Sequence, residues 1–205
     1  MGNRTAGSRS SAWTRDRRSL TVRRGASVGG PSSGASKGIE KVEVMARWDP
    51  APIGAPSHDV DIIGATYRAS DPQGQPAYLV HFDSRSPDGT ITLSRDSRTG
   101  QGFGYDEVMV LELERLAPEF VRVVVGVAIQ QRSGRVTFGD IAGNGYRVVE
   151  GYTKLAEGDF GAVADATAAT VAEFTRDERG EWSFRLALRG FDTDPEAFTR
   201  VMGGA

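Results

Sequence analysis

From residue 38 onward the sequence is a succession of short apolar runs, each closed by a turn signal, with no long stretch at helical period between them. The runs fall at residues 41–48, 59–67, 77–82, 90–94, 108–113, 121–130, 135–138, 146–150, 168–175 and 181–190. Each reads as a β-strand. In the last, Trp182, Phe184, Leu186 and Leu188 alternate with Ser183, Arg185, Ala187 and Arg189. That period of two predicts one apolar face, paired with 171–175 across the turn at 176–180. Val121, Val123, Val125 and Val127, with Val124 inserted, predict a strand buried on both sides. Ser86-Pro87-Asp88-Gly89 predicts a hairpin turn joining 77–82 to 90–94. Many short strands without long helices predict an all-β fold, a two-sheet β-sandwich. One short C-terminal helix is expected, capped by Asp194, with Pro195 at its first position and Gly203 at its exit. Phe191, Phe198 and Val201 are expected to pin it to the sandwich. A further short helical piece is expected around 161–167.

Residues 1–37 are different in kind. They are rich in Gly, Ser and Arg and nearly devoid of large apolar side chains, so they bury too little surface to offset ordering entropy. The expected organisation is a disordered basic tail at 1–37 and one domain at 38–205. The tail carries eight bases against one acid, a net +7, and the remainder carries 17 bases against 26 acids, a net −9. An acidic domain disfavours nucleic acid and favours cations. The tail alone favours anionic partners.

Cysteine is absent, which excludes disulfides, thiolate metal sites and cysteine nucleophiles. His58 and His81 are the only histidines, so one chain cannot build a three-His zinc site. No apolar run approaches the ~20 residues that span a bilayer. The pairs Arg17-Arg18 and Arg23-Arg24 lead into a Gly/Ser/Pro-rich stretch and not the apolar segment of an export signal. A cytoplasmic protein is the expectation.

The densest supply of oxygen ligands is the loop at 96–107, DSRTGQGFGYDE. Asp96 opens it, Asp106 and Glu107 close it, and Gly100, Gly102 and Gly104 let its backbone turn carbonyls inward. Hard cations want six to eight oxygens, which such a loop offers, so calcium is the expected ligand. The Asp96-to-Glu107 spacing matches an EF-hand loop, but Arg98 stands where a third-position acid belongs and the flanks read as strands. Asp59-Val60-Asp61 is a second element. Two residues apart on a strand, both carboxylates share a face about 7 Å apart. They read either as solvated acids on an outer face or as ligands to a shared cation. Asp83, after the 78–82 run, is a third candidate, and Asp49 is read as capping a turn. Gly-x-Ser-x-Gly occurs only as part of the Gly/Ser-rich stretch at 25–38, with no apolar strand before it to form a nucleophile elbow, and the phosphate-loop pattern is absent. His58 is read as a turn residue and His81 as structural.

Together Trp48-Asp49, Asp59-x-Asp61, Asp83 and the DSRTGQGFGYDE loop resemble the TerD domain of bacterial tellurium-resistance and stress-response proteins. That family writes its loop approximately as Asp-Asn-x-Thr-Gly-x-Gly-x-Gly-Asp-Asp-Glu. Phe138-Gly139, Tyr146-Arg147-Val148-Val149 and Gly180-Glu181-Trp182-x-Phe184 extend the match, which covers about residues 38–203. The resemblance implies a two-sheet sandwich that holds calcium, commonly two ions, at one end. It carries ligand roles to Asp59, Asp61, Asp83, Asp96, Asp106 and Glu107, to Ser97 where the family has an amide, and to a carbonyl near Gly102. Ser97 and Tyr105 depart from the family pattern, and each loses an oxygen or a charge. The expectation is therefore one ion or two.

The function expected from the resemblance is non-enzymatic: calcium orders acidic loops so that they bind a partner within a stress-response system. Partners would be other proteins of a tellurium-resistance-like set, some of them membrane-associated. Tellurite reduction is disfavoured, because the chain has no thiol and no motif for a redox cofactor. Two alternatives stand beside this reading. One is a metal-dependent hydrolase working through clustered carboxylates. The other is an adaptor whose basic tail grips anionic membrane or nucleic acid.

Overall fold

The computed structural model describes residues 38–132 and 134–204. The tail expected at 1–37 lies outside the described residues. Ten strands run in order: β1 (Lys41–Arg47), β2 (Val60–Arg68), β3 (Tyr78–Val80), β4 (Ile91–Arg95), β5 (Glu107–Glu112), β6 (Phe120–Ile129), β7 (Gly145–Glu150), β8 (Thr153–Gly158), β9 (Ala168–Arg176) and β10 (Trp182–Phe191). One α-helix, α1 (Pro195–Val201), follows. The strands form two antiparallel five-stranded sheets, ordered β4-β5-β1-β7-β8 and β10-β9-β6-β2-β3. This is the mostly-β, two-sheet fold that the run pattern predicts.

Period-two burial builds the core between the sheets. Val42, Val44 and Ala46 of β1, with Met109 and Leu111 of β5, face Ile62 of β2 and Val123, Val125 and Val127 of β6. Each such side chain contributes about 1.5–3 kcal/mol by leaving water. The central strands of the second sheet are also buried on their outer face. There Ile63, Ala65 and Tyr67 of β2 and Val124 and Ala128 of β6 form a second cluster with Phe198 and Met202. That outer cover explains the valine run in β6, which has no solvent-facing side to mark with polar residues.

The helix is seated as its sequence suggests. Asp194 caps it, accepting a hydrogen bond from the Ala197 amide (2.8 Å). Phe198 drops onto Gly126, where an added Cβ would lie 2.6 Å from the Ala169 carbonyl oxygen and 2.7 Å from the phenyl ring. Glycine at that point of β6 lets the helix approach. Val201 does not pin the helix, since it is 41% exposed. Met202, four residues after Phe198, shares its face and is buried instead.

Other expectations change as well. The chain from β3 to β4 is not a hairpin: β3 pairs with β2, whereas β4 pairs with β5 in the opposite sheet. The 86–89 turn is well made, with Ser86 Oγ accepting from the Ile91 amide (3.2 Å) and Asp88 Oδ1 from the Thr90 amide (3.0 Å). Turn chemistry fixes the bend, but the free edges of two sheets decide what each strand pairs with. Residues 135–138 are not a strand. Thr137 and Asp140 cap a single 3-10 turn at Phe138–Asp140 by bonding one another reciprocally. β8 escaped the sequence reading because TKLAEG is a half-exposed edge strand without alternation. In β10 the register shifts between Leu186 and Arg189, a bulge that turns Leu186 outward to 45% exposure. The helical piece expected at 161–167 is one 3-10 turn, Gly161–Val163. Among the described residues no helix is long and apolar enough to cross a membrane.

Phe198→Ala should lower the unfolding free energy by about 3–5 kcal/mol in a denaturant titration, because it empties a buried site. Val201→Ala should change it by no more than about 0.5 kcal/mol, since that side chain is largely solvated.

Candidate metal centre

At one end of the sandwich the 48–59 and 96–106 loops meet around Trp48. Its buried indole Nε1 donates to the His58 carbonyl (3.1 Å), and its backbone N–H donates to Asp106 Oδ2 (3.0 Å). Gly100 lies against the same indole at φ +65, and a Cβ there would sit 2.6 Å from Nε1. A left-handed glycine is therefore what allows the loop to close over the tryptophan. Ser97 braces the inside of that loop, its Oγ accepting from the Gly100 amide (3.3 Å).

Three carboxylates converge there. Asp61, Asp96 and Glu107 each present one oxygen, and these oxygens lie within 4.8 Å of one another. Asp61 comes from β2 and Glu107 from the first residue of β5, so the two sheets supply one side chain each. Glu107 is fully buried, at 0% exposure. Its Oε1 accepts from the Ser97 amide (2.9 Å) and its Oε2 from the Ile62 amide (3.4 Å). The second bond arises because β3 pairs with β2 only at 64–66, leaving Ile62 beyond its end. Asp59 stands beside the group, also buried, with Arg132 3.0 Å from its Oδ2. Asp61 Oδ2 accepts from Gln130 Nε2 (2.5 Å).

Burial dominates the electrostatics. It pushes the Glu107 carboxyl up to about 9, and the neighbouring Asp96 adds to the effect, against amide bonds from Ser97 and Ile62 that oppose it. Burial likewise pushes Asp61 up to about 6, helped by the charges of Asp59 and Asp96 and opposed by the Gln130 hydrogen bond. Asp59 is raised by burial, with Arg132 pulling the other way. Asp96 is exposed, but Asp61 and Glu107 are buried, and buried carboxylates held this close to a third favour keeping protons or sharing a cation. The donors are all oxygens, a set that suits a hard divalent ion and not a soft one.

The remaining expected residues fall at varying distances from this cluster. Asp106 is buried but engages Trp48. Ser97 reaches Glu107 through its backbone and the loop through its hydroxyl. Gly102 is exposed at φ +147, with Arg95 beneath it. Asp83 is exposed in the turn after β3, where its amide donates to His81 Nδ1 (3.3 Å), and it is not in the cluster. His81 is half-buried, which lowers its basicity despite the nearby Asp83. Gln130 and Arg132 touch the acids and had no local signal. They arrive because β2 pairs with β6, bringing the Gln130 amide to the Asp59 carbonyl (2.8 Å). Solvent reaches the group from separate clefts, one walled by Asp61, one by Asp96 and one by Asp59.

Known proteins share this arrangement of sequence and fold. The TerD domain model matches residues 23–200. The tellurium resistance protein TerD of Serratia marcescens is 27% identical over 164 residues, covering 78% of this chain and 85% of that protein. A crystal structure of a protein of unknown function superposes with a TM-score of 0.81 at 59% identity, covering 82% of this chain and 99% of that one. The crystal structure of a homologue of telluride resistance protein TerD from Streptomyces coelicolor A3(2) superposes at 0.80 with 55% identity and the same coverage. With its sequence, its two-sheet fold and its solved relatives in agreement, the chain belongs to the TerD domain family.

Proposed function

We propose that this protein is a calcium-binding, non-enzymatic module of a tellurium-resistance-like stress response. The observation that supports it is the meeting of the Asp61, Asp96 and Glu107 oxygens within 4.8 Å around a fully buried glutamate. Asp61, Asp96 and Glu107 would hold the ion, with Asp59 adding negative charge alongside. The ion would neutralise their mutual repulsion. Calcium accepts six to eight oxygens in irregular geometry, so loop carbonyls and water can complete its shell, whereas magnesium demands a stricter octahedron.

The residues of this chain supply the rest. Glu107 connects the first sheet to the Ile62 amide of the second, and Trp48 ties the flanking loops together. Charge neutralisation would thus stiffen both loops and fix the surface that they present. The partners of that surface are proposed to be other proteins of such a response, and the setting the cytoplasm. A non-enzymatic role accords with the residues around the cluster, which are carboxylates, an amide and arginines, with no cysteine in the chain.

Free calcium at 100 times its dissociation constant should raise the stability of the full chain by about 2.7 kcal/mol, read as an upward shift in a thermal melt against a chelated control. Glu107→Gln or Asp96→Asn should remove most of that shift, and Asp83→Asn should retain it. Equal melts with calcium and with chelator would reject the reading.

The pH dependence has a definite sign. Without divalent ions, Glu107 titrates at about 9 in the folded chain against an ordinary 4.5, and Asp61 at about 6 against 3.8. Between those limits the folded state holds more protons than the unfolded one, so these two groups make stability fall as pH rises. Calcium displaces the protons, and its stabilising shift should grow over the same range. Melts between about pH 5 and about pH 9, with and without the ion, check both trends.

A further inference from the structure

A second concavity lies on the outer face of the β10-β9-β6-β2-β3 sheet, beside the C-terminal end of α1 and separate from the acid cluster. It encloses about 540 Å³, within the range of small-molecule sites. Its charged walls are Arg122, Arg185, Arg189 and Glu173, a surplus of two positive charges. Its apolar lining includes Val124, Leu186 and Met202. The domain around it is acidic, with 26 acids against 17 bases over 38–205, so this concavity runs against the local average.

The construction is specific. Arg122 is buried over the Tyr67 ring (5.0 Å). Its Nε donates to Glu173 Oε1 (2.7 Å), and its Nη1 donates to the carbonyls of Pro72 (2.9 Å) and Gly203 (2.8 Å). Glu173 also pairs with Arg185. Burial alone would raise the Glu173 carboxyl, but the hydrogen bond and charge of Arg122, with Arg185, outweigh it and hold the group ionised. One carboxylate is therefore shared by two guanidinium groups, and Arg189 adds a third to the cavity wall. The β10 bulge forms one wall, since it turns Leu186 outward and brings Arg189 opposite Thr170. Thr170 Oγ1 donates to the Ala187 carbonyl (2.5 Å), which satisfies the bulged backbone. Arg189 reaches the Gly204 carbonyl and lies over Phe191 (4.6 Å). Arg185 and Arg189 are both exposed at the mouth.

We propose that this cavity binds a small amphipathic anion, a phosphate or carboxylate carried on an apolar group. The planar guanidinium forks of Arg185 and Arg189 would take the anion at the mouth. Val124, Leu186 and Met202 would receive the apolar part. Glu173 is already paired, so it orients Arg122 and Arg185 and does not repel the ligand. The reading does not depend on calcium at the other site.

Octyl phosphate titrated into the full chain by calorimetry is the direct probe, with inorganic phosphate beside it. Vesicles of phosphatidylcholine with and without phosphatidic acid provide the lipid arm. Octyl phosphate should bind the wild type more tightly than inorganic phosphate, and the R185Q/R189Q variant should weaken it at least tenfold. R115Q, which removes a surface arginine elsewhere, should leave binding unchanged. Both replaced side chains are exposed, and a melt of R185Q/R189Q close to wild type shows that folding is intact. Arginine-dependent capture by the phosphatidic acid vesicles alone would assign the anion to a lipid headgroup, and binding of the soluble probe alone to a free metabolite. No binding of any probe by the wild type, or equal binding by R185Q/R189Q, overturns the proposal.

Discussion

A glutamate carboxyl excluded from water, with two aspartate oxygens within 4.8 Å, is the constraint on which this end of the molecule depends. Desolvation and like charge act in the same direction there, and both favour the neutral acid or a shared cation. The protein, among its described residues, pairs none of these acids with a lysine. It places Arg132 at Asp59 and an amide, Gln130, at Asp61, and gives Glu107 two backbone donors. Those contacts hold the carboxylates in position without neutralising the central one.

The sandwich is arranged to keep this group in place. β3 stops short, which frees the Ile62 amide to meet a side chain from the other sheet. Trp48 fills the space under the glycine-rich loop and bonds to both neighbouring segments. On the outer face of the second sheet α1 covers β2 and β6, so the strand that carries Asp61 is buried on both sides. A strand held in that way cannot swing its carboxylate out to solvent at little cost, and the repulsion must be met where it arises.

Much of this was legible in the residues. The strand runs gave the fold class because period-two alternation is a local property. The acidic ends of the 96–107 loop and the Asp59-x-Asp61 pair pointed to one place because strand geometry puts alternate residues on one face. What stayed hidden was set by distance in sequence. The β3–β4 turn carries good hairpin chemistry, yet its strands belong to different sheets. Leu186 alternates correctly until a bulge, which has no local mark, turns it outward. Asp106 and Asp83 carry the same carboxyl group as Asp96. One is engaged by a tryptophan 58 residues away and the other is left in solvent. Gln130 and Arg132 join the acids only through the pairing of β2 with β6.

The account stands most directly on where a cation binds. A crystal structure of the full chain grown with calcium should show an ion about 2.3–2.6 Å from oxygens of Asp61, Asp96 and Glu107. An ion bound elsewhere, or those three side chains turned apart around water with calcium in excess, would contradict it.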